Sequence, residues 1–153
     1  MRTRGETVDQ LAQLSDAELR AWSGILHAHA VVGRRLEVAL QERHRLSLAE
    51  YTVLQRLWTA GGSLRMSDLA GSALLSPSGV SRLVDRLVAE GLLERTTSGD
   101  DGRAILAVLT ASGERRRCQA ATTYAERLRE AFLAGYSPDE LDVLGDLLHR
   151  ACG

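Results

Sequence analysis

The sequence predicts a mainly α-helical fold that contains one small β-hairpin. Apolar residues recur at helical spacing over most of the 153 residues. After a long first helix, the predicted order is helix, short helix, turn, helix and hairpin, which is the order of a winged helix-turn-helix with the hairpin as its wing. The N- and C-terminal helices carry apolar stripes that nothing else in the chain covers, so we expect them to dimerise with a second copy of the chain.

The composition is that of a cytoplasmic globular protein with one core. Hydrophobic residues make up 44% of the chain, and no apolar run approaches the roughly 20 residues that a membrane span needs. The first residues, MRTRGETVDQ, lack the apolar core of a signal peptide. The net charge of −1 does not indicate a nucleic-acid partner, so any such role depends on where the 19 basic residues, all arginine, are placed.

Three serine–glutamate capping boxes predict where helices begin. In each box the serine caps the helix start, and the glutamate three residues later reaches back to the cap amide. The boxes pair Ser15 with Glu18, Ser47 with Glu50, and Ser137 with Glu140. They predict helices over about 15–45, 48–60 and 138–151, and Tyr51, Leu54, Leu57 and Trp58 are expected to point inward from the second.

The remaining elements follow from turn residues and apolar runs. A short helix is expected near 67–73, and a further helix runs from Ser76 to about Glu90, before Gly91 as a C-cap. The runs 92–95 and 104–110 flank the polar turn TTSGDDGR, which predicts a hairpin. Thr110 is expected to cap a long helix over about 111–133. We therefore expect one domain over 1–153, with a winged-helix module at about 48–110 between dimerisation helices at about 15–45 and 111–151.

The stretch SPSGVSRLVDRL, residues 76–87, reads as a helix with one buried and one outward face. Val80, Leu83, Val84 and Leu87 share one face, while the other carries short side chains and arginine. An exposed arginine fork there can bind a guanine edge or a phosphate oxygen. An ordinary amphipathic surface helix is the alternative interpretation. The candidate DNA contacts of this helix are Ser76, Pro77, Ser78, Ser81, Arg82 and Arg86.

The hairpin supplies two further candidates, Asp101 and Arg103, in the turn Asp-Gly-Arg. An arginine at the tip of a wing can enter the narrow minor groove, where A·T tracts concentrate negative potential. Asp101 is expected either to form the turn or to pair with a helix arginine such as Arg86.

Several motifs together resemble the MarR family of bacterial regulators. They are LRAWSGILHAHAVVGRRLE, LSLAEYTVLQRL, MSDLA, LLSPSGVSRLVDRLVAEGLLER, DDGRA and LTASGE, which span nearly the whole chain. The resemblance implies a winged-helix homodimer that binds a pseudo-palindromic operator in double-stranded DNA, usually as a repressor, and releases it when a small molecule binds. It also places the major-groove contacts at 76–82 and an Asp-x-Arg pair at Asp101 and Arg103.

Two features depart from that family pattern. Pro77 stands where many relatives carry a polar residue, which removes one potential base contact. The second departure is the low positive charge of residues 64–110, which contain five arginines and six acidic residues. The arginines are at 65, 82, 86, 95 and 103, and the acidic residues are at 68, 85, 90, 94, 100 and 101. A winged helix that binds a protein instead of DNA is therefore an alternative function.

The resemblance also implies a pocket for an aromatic or anionic effector, between the dimerisation and DNA-binding regions. The candidates are Trp22, His29, Tyr51, Leu54 and Trp58, with simple core packing as the alternative. The run of arginines 115–117 is expected to meet phosphate, to meet an anionic effector, or to be solvated.

Other chemistry finds little support in the sequence. It has no phosphate-cradling P-loop, no HExxH zinc motif and no nucleophile elbow, and His27 and His29 point in different directions on one helix. We therefore expect no enzyme activity, metal or cofactor. Cys118 and Cys152 leave a cysteine-based redox regulator as an alternative, although inert thiols are the simpler interpretation.

Overall fold

A computed structural model of the chain describes residues 14–72, 77–97 and 104–152. The helices of this part are α1 (Asp16–His44), α2 (Leu48–Thr59), α3 (Met66–Ser72), α4 (Pro77–Ala89), α5 (Ala111–Ala131) and α6 (Pro138–Cys152). The strands are β1 (Ser63–Arg65), β2 (Leu93–Thr97) and β3 (Ile105–Leu109), and a 3-10 turn covers Leu133–Gly135. Every predicted helix and both hairpin strands are confirmed within two or three residues.

Strand β1 was not predicted from the sequence. It pairs antiparallel with β3, Ser63 opposite Val108 and Arg65 opposite Leu106, so the sheet order is β1-β3-β2. A strand of three residues is too short to show the alternation of apolar and polar residues that predicts a β-strand. The strand forms because β3 supplies a pairing edge for it, and the wing is consequently joined to the body of the module by a third strand.

The three capping boxes are confirmed. Ser15 and Ser47 each accept from the amide three residues ahead, and each receives the reciprocal glutamate. Glu140 Oε2 likewise accepts from the Ser137 amide at 2.8 Å. Donation from the Ser15 hydroxyl and amide lowers the pKa of Glu18 below the ordinary value, because it favours the ionised carboxylate. Donation from the Ser137 amide and hydroxyl lowers the pKa of Glu140 for the same reason.

The hydrophobic core joins the winged-helix module to α1 and α5 and holds α4 in place. Its fully buried side chains come from α1, the loop after it, α2, α3, α4 and β2, and each contributes about 1.5–3 kcal/mol by burial. They are Leu40, Leu46, Leu54, Leu57, Leu69, Val80, Val84, Leu87 and Leu93. Since α4 buries Val80, Val84 and Leu87, its opposite face is fixed toward the outside.

Helices α1 and α6, in the two regions predicted to dimerise, leave large apolar side chains exposed, unlike the helices of the core. Trp22 of α1 is 59% exposed and Val143 of α6 is 59% exposed, although both belong to apolar stretches of the sequence. Other large apolar side chains on these two helices are also exposed in the single chain: Leu19, Ile25, Leu26, Val38, Leu147 and Leu148. Among the residues that the structure describes, no element of the single chain covers these surfaces.

The inward placement of Trp58 was wrong. Its side chain is 46% exposed, in the last turn of α2. The guanidinium of Arg117 lies over the ring, 4.3 Å from its centroid. Arg117 extends from the buried face of α5 and covers the inner face of the indole ring. The other face of the ring is therefore exposed to solvent.

His44, near the end of α1, predicts a pH-dependent component of stability. Its Nε2 lies 2.8 Å from Thr123 Oγ1. Burial, then the charges of Arg116 and Arg43, lower the pKa of His44 below its ordinary value. As pH falls through about 6.5, the unfolded chain therefore takes up a proton before the folded chain does, and stability declines.

We expect the free energy of unfolding, measured by urea denaturation, to fall between pH 7.5 and 5.5. The variant His44→Gln keeps a group that can bond Thr123 but does not titrate, so its profile should be flatter. Parallel profiles for the two proteins would assign the pH dependence to other groups.

Candidate nucleic-acid interface

The outward face of α4 carries the candidate contacts that the structure describes. Ser78 and Arg82 are exposed on it, opposite the buried Val80 and Val84. Arg82 is exposed, and it makes no hydrogen bond or ion pair to any described residue. Pro77 is the first residue of α4, a position where the missing amide proton costs nothing. Ser76, Asp101 and Arg103 lie outside the described residues.

Arg86 forms an ion pair with Glu50 inside the protein. Its Nε donates to Glu50 Oε1 at 2.5 Å, and its Nη2 contacts the same oxygen. The Glu50 side chain is only 3% exposed, whereas that of Arg86 is 60% exposed. Of the two roles expected for Arg86, DNA contact or structural contact, the structure shows the structural one. The alternative partner, Asp101, lies in the part of the wing that is not described.

A second arginine joins α4 to the wing. Arg95 of β2 lies 2.9 Å from Asp85 Oδ1, and it also donates to Ser81 O and Ser81 Oγ, both at 3.3 Å. Ser81, a candidate DNA contact, is thus also a partner of the wing strand. The sequence analysis did not single out Arg95 or assign Glu50 a role beyond its cap, because both act across the fold.

These pairs change the electrostatics of the interface. Arg86 and Arg95 are each matched by a carboxylate, so they add little net positive potential toward a DNA backbone. Arg82 is the α4 cation without such a partner among the described residues. The outward face of α4 therefore carries little unpaired positive charge among the described residues.

A cavity of about 580 Å³ lies between α1, α2 and α5; we call it the interhelical cavity. Its walls are mainly apolar, with an acid, an arginine and a histidine among them. The lining residues are His29, Val32, Gly33, Leu36, Glu37, Leu48, Ala49, Thr52, Val53, Arg56, Leu69, Tyr124 and Leu128. Glu37 Oε2 accepts from the Leu48 amide at 2.6 Å, so one wall of the cavity holds the first turn of α2.

The structure does not bring the five predicted effector residues into one cavity. His29 lines the interhelical cavity, but Leu54 is fully buried in the core. Tyr51 is buried and stacks on Tyr124 with ring centroids 4.8 Å apart, and burial raises the pKa of its phenol. Trp22 is exposed on α1, and Trp58 lies at the surface beside Arg117.

The arginine run on α5 is largely occupied within the fold. Arg117 is 9% exposed and donates to Gln55 Oε1 at 3.1 Å. Arg116 donates to the His44 carbonyl at 2.9 Å, and Arg115 donates to Ser112 Oγ at 3.0 Å. A freely solvated face does not describe this run, because two of its three side chains fasten α5 to α1 and α2. Contact with phosphate or with an anionic effector stays a prediction.

Other kinds of site find no support among the described residues. They contain no group of three or more potential metal ligands and no helix long and apolar enough to cross a membrane. Cys118 is exposed and has no disulfide partner in this part of the chain, and the side chain of Cys152 is not described.

A helix-turn-helix whose second helix presents an arginine outward, followed by a hairpin wing of β2 and β3, defines a winged helix-turn-helix protein of the DNA-binding class. A sequence model of the MarR family matches residues 46–105, the winged module. An uncharacterized HTH-type transcriptional regulator of Bacillus subtilis, YkoM, is 32% identical over 110 residues, which are 72% of this chain and 70% of that protein. The chain belongs to the MarR family of transcriptional regulators.

Two solved structures from Streptomyces coelicolor share the whole architecture. The MarR family regulator AbsC is 29% identical, with a TM-score of 0.83 over 91% of this chain and 94% of that chain. The MarR family regulator Sco3205, solved in complex with DNA, is 25% identical, with a TM-score of 0.84 over 91% of each chain. At 91% of this chain, the similarity extends well beyond residues 46–105.

Proposed function

We propose that this protein is a homodimeric regulator that binds a pseudo-palindromic operator in double-stranded DNA, as a repressor that a small molecule releases. The observation that carries the proposal is the outward face of α4, where Arg82 projects from a helix anchored by Val80, Val84 and Leu87. Sco3205, which shares this architecture, was solved with DNA. In this proposal α4 enters the major groove, and Arg103 of the wing reaches the minor groove.

Dimerisation follows from the apolar surfaces on α1 and α6. Val143 and Leu147 lie one turn apart on α6, and both are about half exposed in the single chain. A cavity of about 480 Å³ between α1 and α6 adds apolar walls from Ile25, Phe132 and Leu144. Surfaces of this kind indicate a protein interface, and a second copy supplies a matching one.

We expect light scattering at micromolar concentration to give the mass of a dimer. Val143→Glu places a charge in the proposed interface and should shift the protein toward monomer, with loss of operator binding. The matched control, His149→Glu, adds a carboxylate at an exposed polar position of the same helix and should stay dimeric. A monomeric wild-type protein would contradict the dimer.

The interhelical cavity supports the effector part of the proposal. Its apolar walls, with Arg56 among the lining residues, suit a small aromatic molecule that carries an acidic group. Glu37 lies in the wall and holds the Leu48 amide, so a ligand there would be in contact with the start of α2. A screen of aromatic acids for a shift in Tm, followed by loss of operator binding, tests this part.

Selection of bound fragments from random and genomic DNA tests the central claim. We expect a pseudo-palindrome whose half-sites lie about 34 Å apart, one turn of the double helix. A reporter under the selected operator then distinguishes repression from activation.

A protein-binding winged helix is the second candidate, because Arg86 and Arg95 are neutralised by Glu50 and Asp85. If no DNA sequence is enriched, this second candidate becomes the better explanation.

A further inference from the structure

Helix α4 is joined to α2 by a single carboxylate that has two tasks. Glu50 Oε2 accepts from the Ser47 amide at 2.7 Å, which completes the cap of α2. Glu50 Oε1 receives Arg86, from a helix 36 residues further along the chain. The start of α2 and the second half of α4 are therefore held by the two oxygens of one side chain.

Because Glu50 is buried, both of its carboxylate oxygens need hydrogen-bond partners. The Glu50 side chain is only 3% exposed, and a buried carboxylate is costly unless its oxygens are paired. The arrangement of α2 against α4 that keeps both oxygens bonded is therefore favoured over tilted or shifted arrangements. Asp85 and Arg95 join α4 to the wing on another side, but the Asp85 side chain is 59% exposed, so that pair constrains α4 less.

The junction bears directly on the reading of DNA. Arg82 and Arg86 are four residues apart on α4, so they lie on neighbouring turns of the same side of the helix. When Glu50 fixes Arg86, it fixes the tilt of α4 and with it the position of Arg82. A bidentate contact with a base edge tolerates little displacement, whereas a contact with the DNA backbone tolerates more.

We propose that Glu50 is a positioning residue for sequence-specific DNA binding, which acts through Arg86 and does not touch DNA. This proposal rests on the proposed function. It assigns Arg86 to the orientation of α4 and leaves Arg82 as the contact that α4 makes with bases. It also predicts that loss of the Glu50 charge has opposite effects on two affinities. Affinity for the operator should fall, whereas affinity for unrelated DNA should not, because Glu50 is a negative charge beneath the proposed DNA-binding surface.

The test compares Glu50→Gln with Ser47→Ala. The Ser47 amide and Arg86 bond different oxygens of Glu50, and in glutamine one of these two positions becomes an NH2 donor. The variant can therefore complete the cap or receive Arg86, but not both. We expect Glu50→Gln to weaken operator binding at least about tenfold, while binding to unrelated DNA at the same salt stays equal or rises because a negative charge is lost. Ser47→Ala removes the capping hydroxyl and leaves the pair intact, so it should lower Tm and change operator affinity less than about threefold.

Arg86→Lys and the double variant Glu50→Gln/Arg86→Gln complete the experiment. Lysine keeps the charge but lacks the fork, and the position is exposed enough for the variant to fold. It should lose operator affinity and keep its affinity for unrelated DNA. The double variant should bind the operator within about twofold of Glu50→Gln, because both changes break one interaction.

Operator binding by Glu50→Gln within about twofold of wild type would overturn the positioning role. So would an Arg86→Gln variant that loses affinity for all DNA equally, with a smaller salt dependence, since this is the behaviour of a direct phosphate contact. A wild-type protein that selects no operator overturns the proposed function as well. The wild-type measurement therefore separates the two failures.

Discussion

Replacing Arg82 with alanine is expected to weaken binding of the dimer to its operator by about 1–3 kcal/mol in each half-site. Arg82 is exposed on α4, and no described residue holds its guanidinium. A fork lost from a guanine edge also relaxes the preference at one base pair of each half-site. The affinity should fall by about 5- to 150-fold per half-site, measured by titration at several salt concentrations.

Two matched variants show whether Arg82 reads bases. Arg82→Lys keeps the charge, so a phosphate contact would survive in it and a bidentate base contact would not. Arg103→Ala, in the predicted wing tip, should weaken A·T-rich flanks most, because groove width is what it would sense. The unfolding free energy of Arg82→Ala should change by no more than about 0.5 kcal/mol. If Arg82→Ala binds the operator like wild type, α4 does not read DNA through this residue.

Replacing Gly113 with alanine is expected to destabilise the fold by at least about 2 kcal/mol. Gly113 is buried in the first turn of α5, beside the carbonyl of Leu92. A methyl group there would overlap the Leu92 carbonyl oxygen and would come within 2.8 Å of Leu109 Cδ1. The Leu92 carbonyl is also bonded by the Thr110 amide, so the backbone cannot easily move away.

The gain in helix propensity from glycine to alanine, about 1 kcal/mol, is too small to offset that overlap. We expect Tm to fall by at least about 5 °C in a thermal unfolding experiment. The control is Gly33→Ala in α1, where the added methyl would meet only Leu48 Cδ2, at 4.0 Å. This control should be neutral or stabilising. Equal Tm values for the two variants would show that the start of α5 can move away from Leu92.

Many features of the fold were predictable because they depend on neighbours in the sequence. Helix starts follow from serine and glutamate three residues apart, and the buried face of α4 follows from the spacing of Val80, Val84 and Leu87. The hairpin follows from a polar turn between apolar runs. The outward face of α4, and Arg82 on it, could be located for the same reason.

Features that join distant segments could not be predicted in this way. Glu50 and Arg86 are 36 residues apart, and each has a sufficient local explanation, as a cap and as a surface cation. Trp58 fits the apolar stripe of α2, yet Arg117 covers its inner side. The effector candidates were chosen as aromatic residues on two helices, but Tyr51 and Leu54 are core residues.

The sequence by itself therefore determined the elements, the face of α4 that points outward and the family, because periodicity, capping and motifs are local signals. The tertiary structure decided which arginines are paired within the fold. Four other arginines have the same side chain as Arg82, but each is bonded by a group from another element: Arg86, Arg95, Arg116 and Arg117. A guanidinium bonds whichever acceptor the packed fold places within about 3 Å, and that acceptor is set by the arrangement of the helices in space.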